Sequence, residues 1–91
     1  MPYDKRDYND PVYKQWRVDV FKRDKFKCQF PGCTCKNKLN AHHIIRWADA
    51  PFLRFVLSNG ITLCRQHHDS IKGFENCYVQ LFSEIVKKNT K

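Results

Sequence analysis

The sequence lacks any long apolar segment. No run approaches the roughly 18 apolar residues of a membrane-spanning helix, and the first ten residues, MPYDKRDYND, are polar where a signal peptide would be apolar. We therefore expect no signal peptide, no transmembrane segment and a cytoplasmic location. A chain of 91 residues is one domain at most, and so small a core favours stabilisation by a metal or by disulfides.

Acidic residues are scarce relative to basic ones. The chain has 9 Asp and Glu against 17 Lys and Arg, which gives a formal net charge of +8. Such an excess is typical of proteins that bind a polyanion, most often nucleic acid. Charge alone leaves open a basic surface without a partner, and it does not distinguish DNA from RNA.

The five cysteines lack the even number that a set of disulfides requires. Without a signal peptide, the odd count indicates a reducing compartment, where thiols bind metal rather than pair. Cys28-x4-Cys33 encloses a Pro-Gly turn, and Cys64-x2-His67 follows further along the chain. Two such pairs supply the four N or S ligands of tetrahedral zinc. Cys35 is an alternative to Cys33, which we prefer because the turn ends there.

An amphipathic helix is predicted at each end of the domain. Residues 10–23 begin with a favourable N-cap, Asp10, and a proline at the first helical position, and their apolar side chains recur at helical spacing. The basic residues of this helix either contact a phosphate backbone or form a solvated face; they are Lys14, Arg17, Lys22 and Arg23. Residues 74–88 carry the clearest apolar stripe, in which Cys77 is predicted to be a buried thiol.

Short strand-like segments and turn signals lie between these helices. LNAHHII (39–45) and ITL (61–63) are predicted strands, Asn59-Gly60 is a predicted turn, and a short helix is predicted to stop at Gly73. The resulting organisation is a flexible N-terminus at 1–9 and one domain at 10–91, with a zinc knuckle at 28–35 and a ββα core at 38–73.

Three histidines remain once His67 is assigned to zinc. His42 and His43 lie on the first predicted strand and His68 lies on the short helix, so a compact ββα unit would bring them together. Two imidazoles on a divalent ion, with a third acting as a base, would form a hydrolytic site for phosphate. Spacing alone favours such a site no more than it favours incidental histidines.

Four linked motifs closely resemble the HNH endonuclease family, especially its small stand-alone members, many of which are phage-encoded. In chain order they are CQFPGC, AHHIIRWAD, SNGITLCRQHH and IKGFENCY, and the resemblance covers about residues 21–78. It implies a small α+β fold built on a ββα-metal, or treble-clef, finger. It also implies hydrolysis of DNA phosphodiester bonds, as an endonuclease or nicking enzyme, to 5′-phosphate and 3′-hydroxyl ends.

Position by position, the resemblance implies roles for the polar residues of this unit. His43 matches the general base that activates water, and Asn59 matches the residue that holds the base's strand and loop through backbone hydrogen bonds. His42 and His68 match the ligands of one catalytic divalent ion, for which Mg²⁺, Mn²⁺, Ni²⁺ and Zn²⁺ are candidates. Because neighbours in a regular strand point to opposite faces, we predict that the His42–His43 pair lies at a strand end or an irregularity.

Arg46 and Glu75 are further candidates near this site. Arg46 closely follows the base and would contact the scissile phosphate, unless it is a solvated charge at a strand end. Glu75 resembles an acidic residue that some HNH proteins place after the helix, where it would orient His68 or a water. Alternatively, Glu75 is simply favoured near the N-terminus of the last helix.

The structural zinc implied by the resemblance falls on Cys28, Cys33, Cys64 and His67. Many family members have Cys where His67 stands, but imidazole is an equally good zinc donor. The additional Cys35 departs from a minimal knuckle and leaves the ligand set open.

The expected partner is DNA, contacted mostly through phosphates, in the bacterial host cytoplasm if the protein is phage-encoded. A protein partner or a dimer would supply specificity or a double-strand cut. The alternative is a non-catalytic, zinc-stabilised nucleic-acid-binding module, which explains the charge and the zinc ligands but gives His43 no role.

Overall fold

Three α-helices and a two-stranded antiparallel sheet form the α+β fold of residues 8–90, the part of the chain that a computed structural model describes. In chain order the elements are α1 (Pro11–Arg23), β1 (Leu39–His43), β2 (Gly60–Cys64), α2 (Arg65–Ser70) and α3 (Val79–Asn89). Single 3-10 turns occur at Pro51–Leu53, Leu57–Asn59 and Glu75–Tyr78. Most of the predicted flexible N-terminus, residues 1–7, lies outside the described part. Over residues 8–90, every helix is too short or too polar to cross a membrane.

The N-terminal helix begins as its sequence predicts. The Asp10 carboxylate accepts a hydrogen bond from the Val12 amide at 2.9 Å, and Pro11 occupies the first helical position. The apolar face packs against the sheet through four buried side chains, Tyr13, Trp16, Val20 and Phe21. Val12, whose position in the apolar spacing also predicts burial on this face, is 55% exposed.

The two strands pair along their whole length, with Leu39 opposite Cys64 and His43 opposite Gly60. β1 ends two residues earlier than predicted, because the amides of Ile44 and Ile45 donate to the backbone and side-chain oxygens of Asn59 instead of continuing the ladder. Every residue of β2 is buried. β2 is therefore covered on both faces.

The predicted turn at Asn59-Gly60 is wrong. Gly60 has an extended backbone, with φ −118°, and is the first residue of β2. A Cβ atom there would lie 2.5 Å from Val20 Cγ2 and 2.6 Å from Trp16 Cζ2. Glycine is required at this position because α1 packs directly on the backbone of β2, and not because the chain turns.

A second apolar cluster covers the face of the sheet opposite α1. Its buried members come from β2, from the residues that follow β1 and α2, and from α3: Ile44, Ile61, Leu63, Ile71, Phe82 and Val86. Cys28 and Cys64 belong to the same cluster. Two of the four predicted metal ligands are thus embedded in the hydrophobic core, and Cys33 packs against it.

The predicted C-terminal helix is divided into a 3-10 turn, Glu75–Tyr78, and α3. Cys77, predicted to be buried, is exposed, and Phe74 is 62% exposed. A 3-10 turn has three residues per turn rather than 3.6, so the apolar stripe set by Phe82 and Val86 does not extend back in phase through it. Gly73 has φ +86°, a conformation suited to ending the preceding helical segment, as predicted.

A buried carboxylate ties together α1, β2 and α3. Asp24 accepts hydrogen bonds from the Arg23 guanidinium at 2.8 and 2.9 Å, from the Thr62 amide at 2.9 Å and from Asn89 Nδ2 at 3.0 Å. The Arg23 side chain is only 6% exposed and also donates to the Leu57 and Gly60 carbonyls. The Arg23 guanidinium therefore stabilises the fold and is buried where a contact with DNA was predicted.

Candidate metal centre and histidine cleft

Four residues that the sequence predicts as zinc ligands come together in the structure. The ligand atoms of Cys28, Cys33, Cys64 and His67 all lie within 4.8 Å of one another. The first two belong to the loop that follows α1, Cys64 ends β2, and His67 lies in α2. The group could therefore hold a metal ion such as zinc.

Local backbone structure presents these ligands. In the knuckle, the Cys33 amide donates to the Phe30 carbonyl at 2.9 Å and the Cys28 amide to the Cys35 carbonyl at 2.8 Å. Gly32 has φ +83°, which allows the tight turn before Cys33. On the other side, the strand-to-helix junction at Cys64 places His67 one helical turn further on.

The distances fit a tetrahedral zinc site. His67 Nδ1 lies 3.7 Å from Cys28 Sγ and 3.3 Å from Cys64 Sγ. Zinc bonds of about 2.3 Å to sulfur and 2.0 Å to nitrogen at tetrahedral angles give N···S separations of about 3.5 Å. The His67 ring is stacked on Phe30, with centroids 4.2 Å apart and planes 2° from parallel. The imidazole is thus oriented by packing before any ion binds.

Cys35 lies outside this group. Its thiol points toward the Asn37 carbonyl, with Sγ···O at 3.6 Å. Of the two alternatives left open by the sequence, the structure places Cys33 among the ligands. Burial raises the pKa of the Cys28 thiol to about 12 in the metal-free protein, so a bound cation would have to displace the thiol proton.

The other three histidines line a cleft of about 360 Å³ next to this centre. His42 and His68 approach each other with ring centroids 5.6 Å apart. His68 directly follows the predicted zinc ligand His67, so α2 contributes one imidazole to the metal centre and the next to the cleft. The polar residues that line the cleft are His42, His43, Arg46, His68, Lys72 and Glu75.

His43 is the last residue of β1 and is buried between aromatic rings. It stacks on Trp16, with centroids 4.2 Å apart and planes 15° from parallel, and meets Trp47 edge-on at 5.4 Å. Its Nε2 lies 2.9 Å from the Arg54 carbonyl oxygen. A carbonyl can only accept, so Nε2 carries the hydrogen and the neutral ring has its lone pair on Nδ1.

The two adjacent histidines lie at the end of β1, as predicted, but no irregularity brings them together. β1 is paired regularly through both residues, so the rings leave on opposite faces. His42 packs against Phe82 of α3 at 5.7 Å, whereas His43 packs against Trp16 of α1. Both nevertheless line the cleft, which extends around the strand end. The strand end is therefore confirmed as one of the two predicted alternatives, whereas the expectation that both rings would leave the strand on the same side is wrong.

The Asn59 side chain links the segment after His43 to the loop between the strands through hydrogen bonds. Its Oδ1 accepts from the Ile45 amide at 2.8 Å, and its Nδ2 donates to the carbonyls of Ile45 and Leu53 at 3.2 and 3.1 Å. Arg54, which follows Leu53, supplies the carbonyl that His43 binds. The buried amide of Asn59 therefore positions both the strand end and the acceptor of the histidine.

Charged side chains surround the opening of the cleft. Arg46 pairs with Asp49 at 3.3 Å, and the Glu75 carboxylate accepts from the Gly73 amide at 3.1 Å. Lys72 also lines the cleft and pairs with Asp69 at 3.3 Å. The sequence prediction missed Lys72, although its place four residues after His68 is the signal that could have identified it.

The remaining predicted DNA-contacting residues differ in their exposure. Lys14 and Lys22 are exposed on α1. Arg17 is half-buried, with its guanidinium 4.8 Å from the centre of the Phe21 ring and 3.4 Å from the Leu39 carbonyl. The two lysines are therefore more accessible to a phosphate backbone than either arginine of this helix.

No family model, no curated protein and no solved structure matches the chain. The described residues form a small α+β fold in which a Cys₃His group suited to zinc adjoins a cleft lined by three histidines.

Proposed function

We propose that the protein is a metal-dependent DNA endonuclease or nicking enzyme of the HNH type, built on a ββα-metal (treble-clef) finger. The main support is the arrangement in the cleft. His43 is held by one ring nitrogen against a backbone carbonyl, while His42 and His68 lie together beside it. One fixed imidazole next to a pair that could share an ion is what a hydrolytic phosphate site needs.

His43 acts as the general base in this proposal. Its Nδ1 takes a proton from the water that attacks the phosphorus, and the ring becomes an imidazolium. The Arg54 carbonyl at 2.9 Å and the face of the Trp16 indole both favour that positive charge. Asn59 acts as a positioning residue, because it holds the strand end and the loop that supplies the carbonyl.

His42 and His68 would hold the catalytic divalent ion. When bound, such an ion offsets charge on the phosphate and on the departing 3′ oxygen. Two protein ligands leave coordination positions for water and phosphate oxygens, as Mg²⁺ prefers, while imidazole donors also suit Mn²⁺, Ni²⁺ and Zn²⁺. Arg46, on the cleft wall, would contact the scissile phosphate, and Glu75 would orient His68 or a water.

The Cys₃His group would bind a structural zinc. Its four ligands come from the knuckle, the end of β2 and α2, so a bound ion would cross-link three parts of a small core. Because His67 and His68 are adjacent, the same ion would also fix α2 in the position that brings His68 to the cleft. The zinc would thereby support the site without taking part in the reaction.

DNA would be bound mainly through its phosphates. The net charge of +8 and the exposed Lys14 and Lys22 support binding of a polyanion, and such binding weakens steeply with salt. One site of this kind cuts one strand, so a double-strand break would need a dimer, a protein partner or two successive nicks. The cytoplasm, where DNA is accessible and thiols stay reduced, is the proposed location.

A plasmid-nicking assay tests the proposal. Supercoiled DNA is incubated with the zinc-loaded protein and Mg²⁺, Mn²⁺ or Ni²⁺, and wild type is compared with His43→Ala and His43→Phe. The phenylalanine variant keeps a ring against Trp16 but removes both nitrogens, so it controls for packing. We expect either change to slow nicking by roughly 10²- to 10⁴-fold, as loss of a general base does. Nicks that DNA ligase seals without kinase treatment would establish 5′-phosphate and 3′-hydroxyl ends.

Two results would contradict the proposal. Equal nicking by His43→Phe and wild type would exclude His43 as the base. Tight DNA binding by a wild-type protein that nicks with none of the three ions would favour the non-catalytic nucleic-acid-binding module instead.

A further inference from the structure

Phe52 is the most exposed of several exposed aromatic side chains, among them Tyr8 and Phe74 at 62% each. It is 95% exposed, the highest value among the large apolar side chains of residues 8–90. Its neighbour Phe55 packs edge-on against Trp47 at 5.8 Å and is 40% exposed. Val56 and Leu57 of the same loop are each 39% exposed, so Phe52 is the most exposed of four apolar side chains here.

Phe52 is exposed on a loop whose backbone is held in place by hydrogen bonds. Pro51–Leu53 forms a 3-10 turn, and side-chain hydrogen bonds of 2.8–3.1 Å hold the surrounding backbone. These bonds join Asn59 to the Leu53 carbonyl, His43 to the Arg54 carbonyl, Arg54 to the Trp47 carbonyl, and Trp16 to the Val56 carbonyl. The ring of Phe52 is therefore presented to solvent from an anchored backbone.

The same loop is attached directly to the proposed base. Phe52 precedes Arg54 by two residues, so their Cα atoms are at most about 7 Å apart. The Arg54 carbonyl binds His43, and its guanidinium lies over the Trp47 ring at 4.4 Å, beside the cleft. Phe52 itself is not among the residues that line the cleft, so a strand with one phosphate at His43 would have to continue beyond the cleft and over this loop to meet the ring.

We propose that Phe52 is a wedge that enters a base step next to the phosphate being cut. Apolar side chains that insert between bases unstack and kink the duplex, and the cost is lowest at mismatches and at flexible pyrimidine–purine steps. The preferred substrate would then be DNA that is already distorted or easily bent, selected by deformability rather than by base sequence. This inference rests on the proposed function and names the substrate class of the same site.

The test uses two duplexes that differ only by one mismatch, each carrying 2-aminopurine next to that position. Nicking near the mismatch is measured for wild type, Phe52→Ala and Phe26→Ala, a control that removes a ring that is 49% exposed on another loop. We expect wild type and Phe26→Ala to nick the mismatched duplex roughly tenfold faster than the matched one, because its stacking is already weakened. Phe52→Ala should reduce this preference to within about twofold, with little change in folding since the ring makes almost no contacts.

Binding without a divalent ion separates this inference from the endonuclease proposal. Wild type should raise 2-aminopurine fluorescence by unstacking the base, and Phe52→Ala should not. If wild type nicks neither duplex but shows the Phe52-dependent rise, the endonuclease proposal fails and the wedge stands. An unchanged mismatch preference in Phe52→Ala, no preference in wild type, or no fluorescence rise would overturn the wedge. A wild-type dimer that Phe52→Ala converts to a monomer would assign the ring to self-association and would also overturn it.

Discussion

Replacing Gly60 with alanine should destabilise the protein and displace the proposed base. The added Cβ would lie 2.5 Å from Val20 Cγ2 and 2.6 Å from Trp16 Cζ2. Carbon atoms in favourable contact are about 3.5–4.0 Å apart, so the neighbours must retreat by roughly 1 Å. Val20 is fully buried and Trp16 is 3% exposed, and the Trp16 indole donates to the Val56 carbonyl at 2.9 Å. Neither side chain can move into open space.

The expected loss in the free energy of unfolding is about 1–3 kcal/mol, the usual cost of overpacking a core. Because His43 stacks on Trp16, a shift of the indole should also move the imidazole and slow nicking. Urea unfolding of the zinc-loaded protein measures the first effect, and the plasmid assay measures the second.

The Gly60→Ala, Val20→Ala double variant provides the control. Removing Val20 Cγ2 takes away one of the two clashes, so the double variant should be more stable than the sum of the single losses predicts. A Gly60→Ala protein within about 0.5 kcal/mol of wild type would refute the close approach of α1 to β2, since that is the range of ordinary surface changes.

Three further predictions concern the metal centre, the buried carboxylate and the buried amide. Cys35→Ser should keep about one zinc per chain and Cys33→Ser should bind zinc more weakly, as measured by metal analysis after dialysis; equal loss in both would contradict the ligand assignment. Asp24→Ala should lose about 3–5 kcal/mol in chemical unfolding, because it leaves the buried guanidinium of Arg23 without its counter-ion, and a loss below 1 kcal/mol would be inconsistent with the buried pair. Asn59→Ala should lower the free energy of unfolding by about 1–3 kcal/mol and slow nicking, because buried backbone groups lose their hydrogen-bond partners. Unchanged stability and an unchanged nicking rate would rule out its positioning role.

Features with local causes could be predicted from the sequence. The start of α1 follows from Asp10 and Pro11, and its buried face follows from the apolar spacing; both are confirmed, except that Val12 is exposed. The presence of two strands and the stop at Gly73 also follow from short-range propensity and backbone preference. Each of these features is set by residues within a few positions of it, so it can be predicted from the sequence alone.

Features that depend on distant contacts were not predictable. Gly60 was assigned to a turn because nothing nearby in the sequence shows that α1 packs on its backbone. The sequence predicts that Arg23 contacts DNA, because nothing nearby indicates that its side chain is buried. Its burial depends on Asp24 and on carbonyls more than thirty residues away. The apolar pattern predicts that Cys77 is buried, because it continues at helical spacing through residues 74–78. The change to 3-10 geometry there cannot be recognised in that pattern.

The candidate site was predictable in its residues more than in its shape. Ligand spacing selected Cys28, Cys33, Cys64 and His67, which the structure brings together. The sequence predicted a strand end or an irregularity at His42–His43, and it could not show that the cleft extends around the end of a regular β1. The shape of the cleft depends on the loop that Asn59 anchors, which is a tertiary contact.

The aromatic surroundings of His43 have a spectroscopic consequence. The chain has two tryptophans, and both touch this one imidazole, Trp16 face to face and Trp47 edge-on. A proton that binds to or leaves His43 changes the charge directly against both indoles. The intrinsic tryptophan fluorescence of the unlabelled protein should therefore change with the protonation of His43. A pH titration of the emission would report the protonation state of the proposed base without any substrate present.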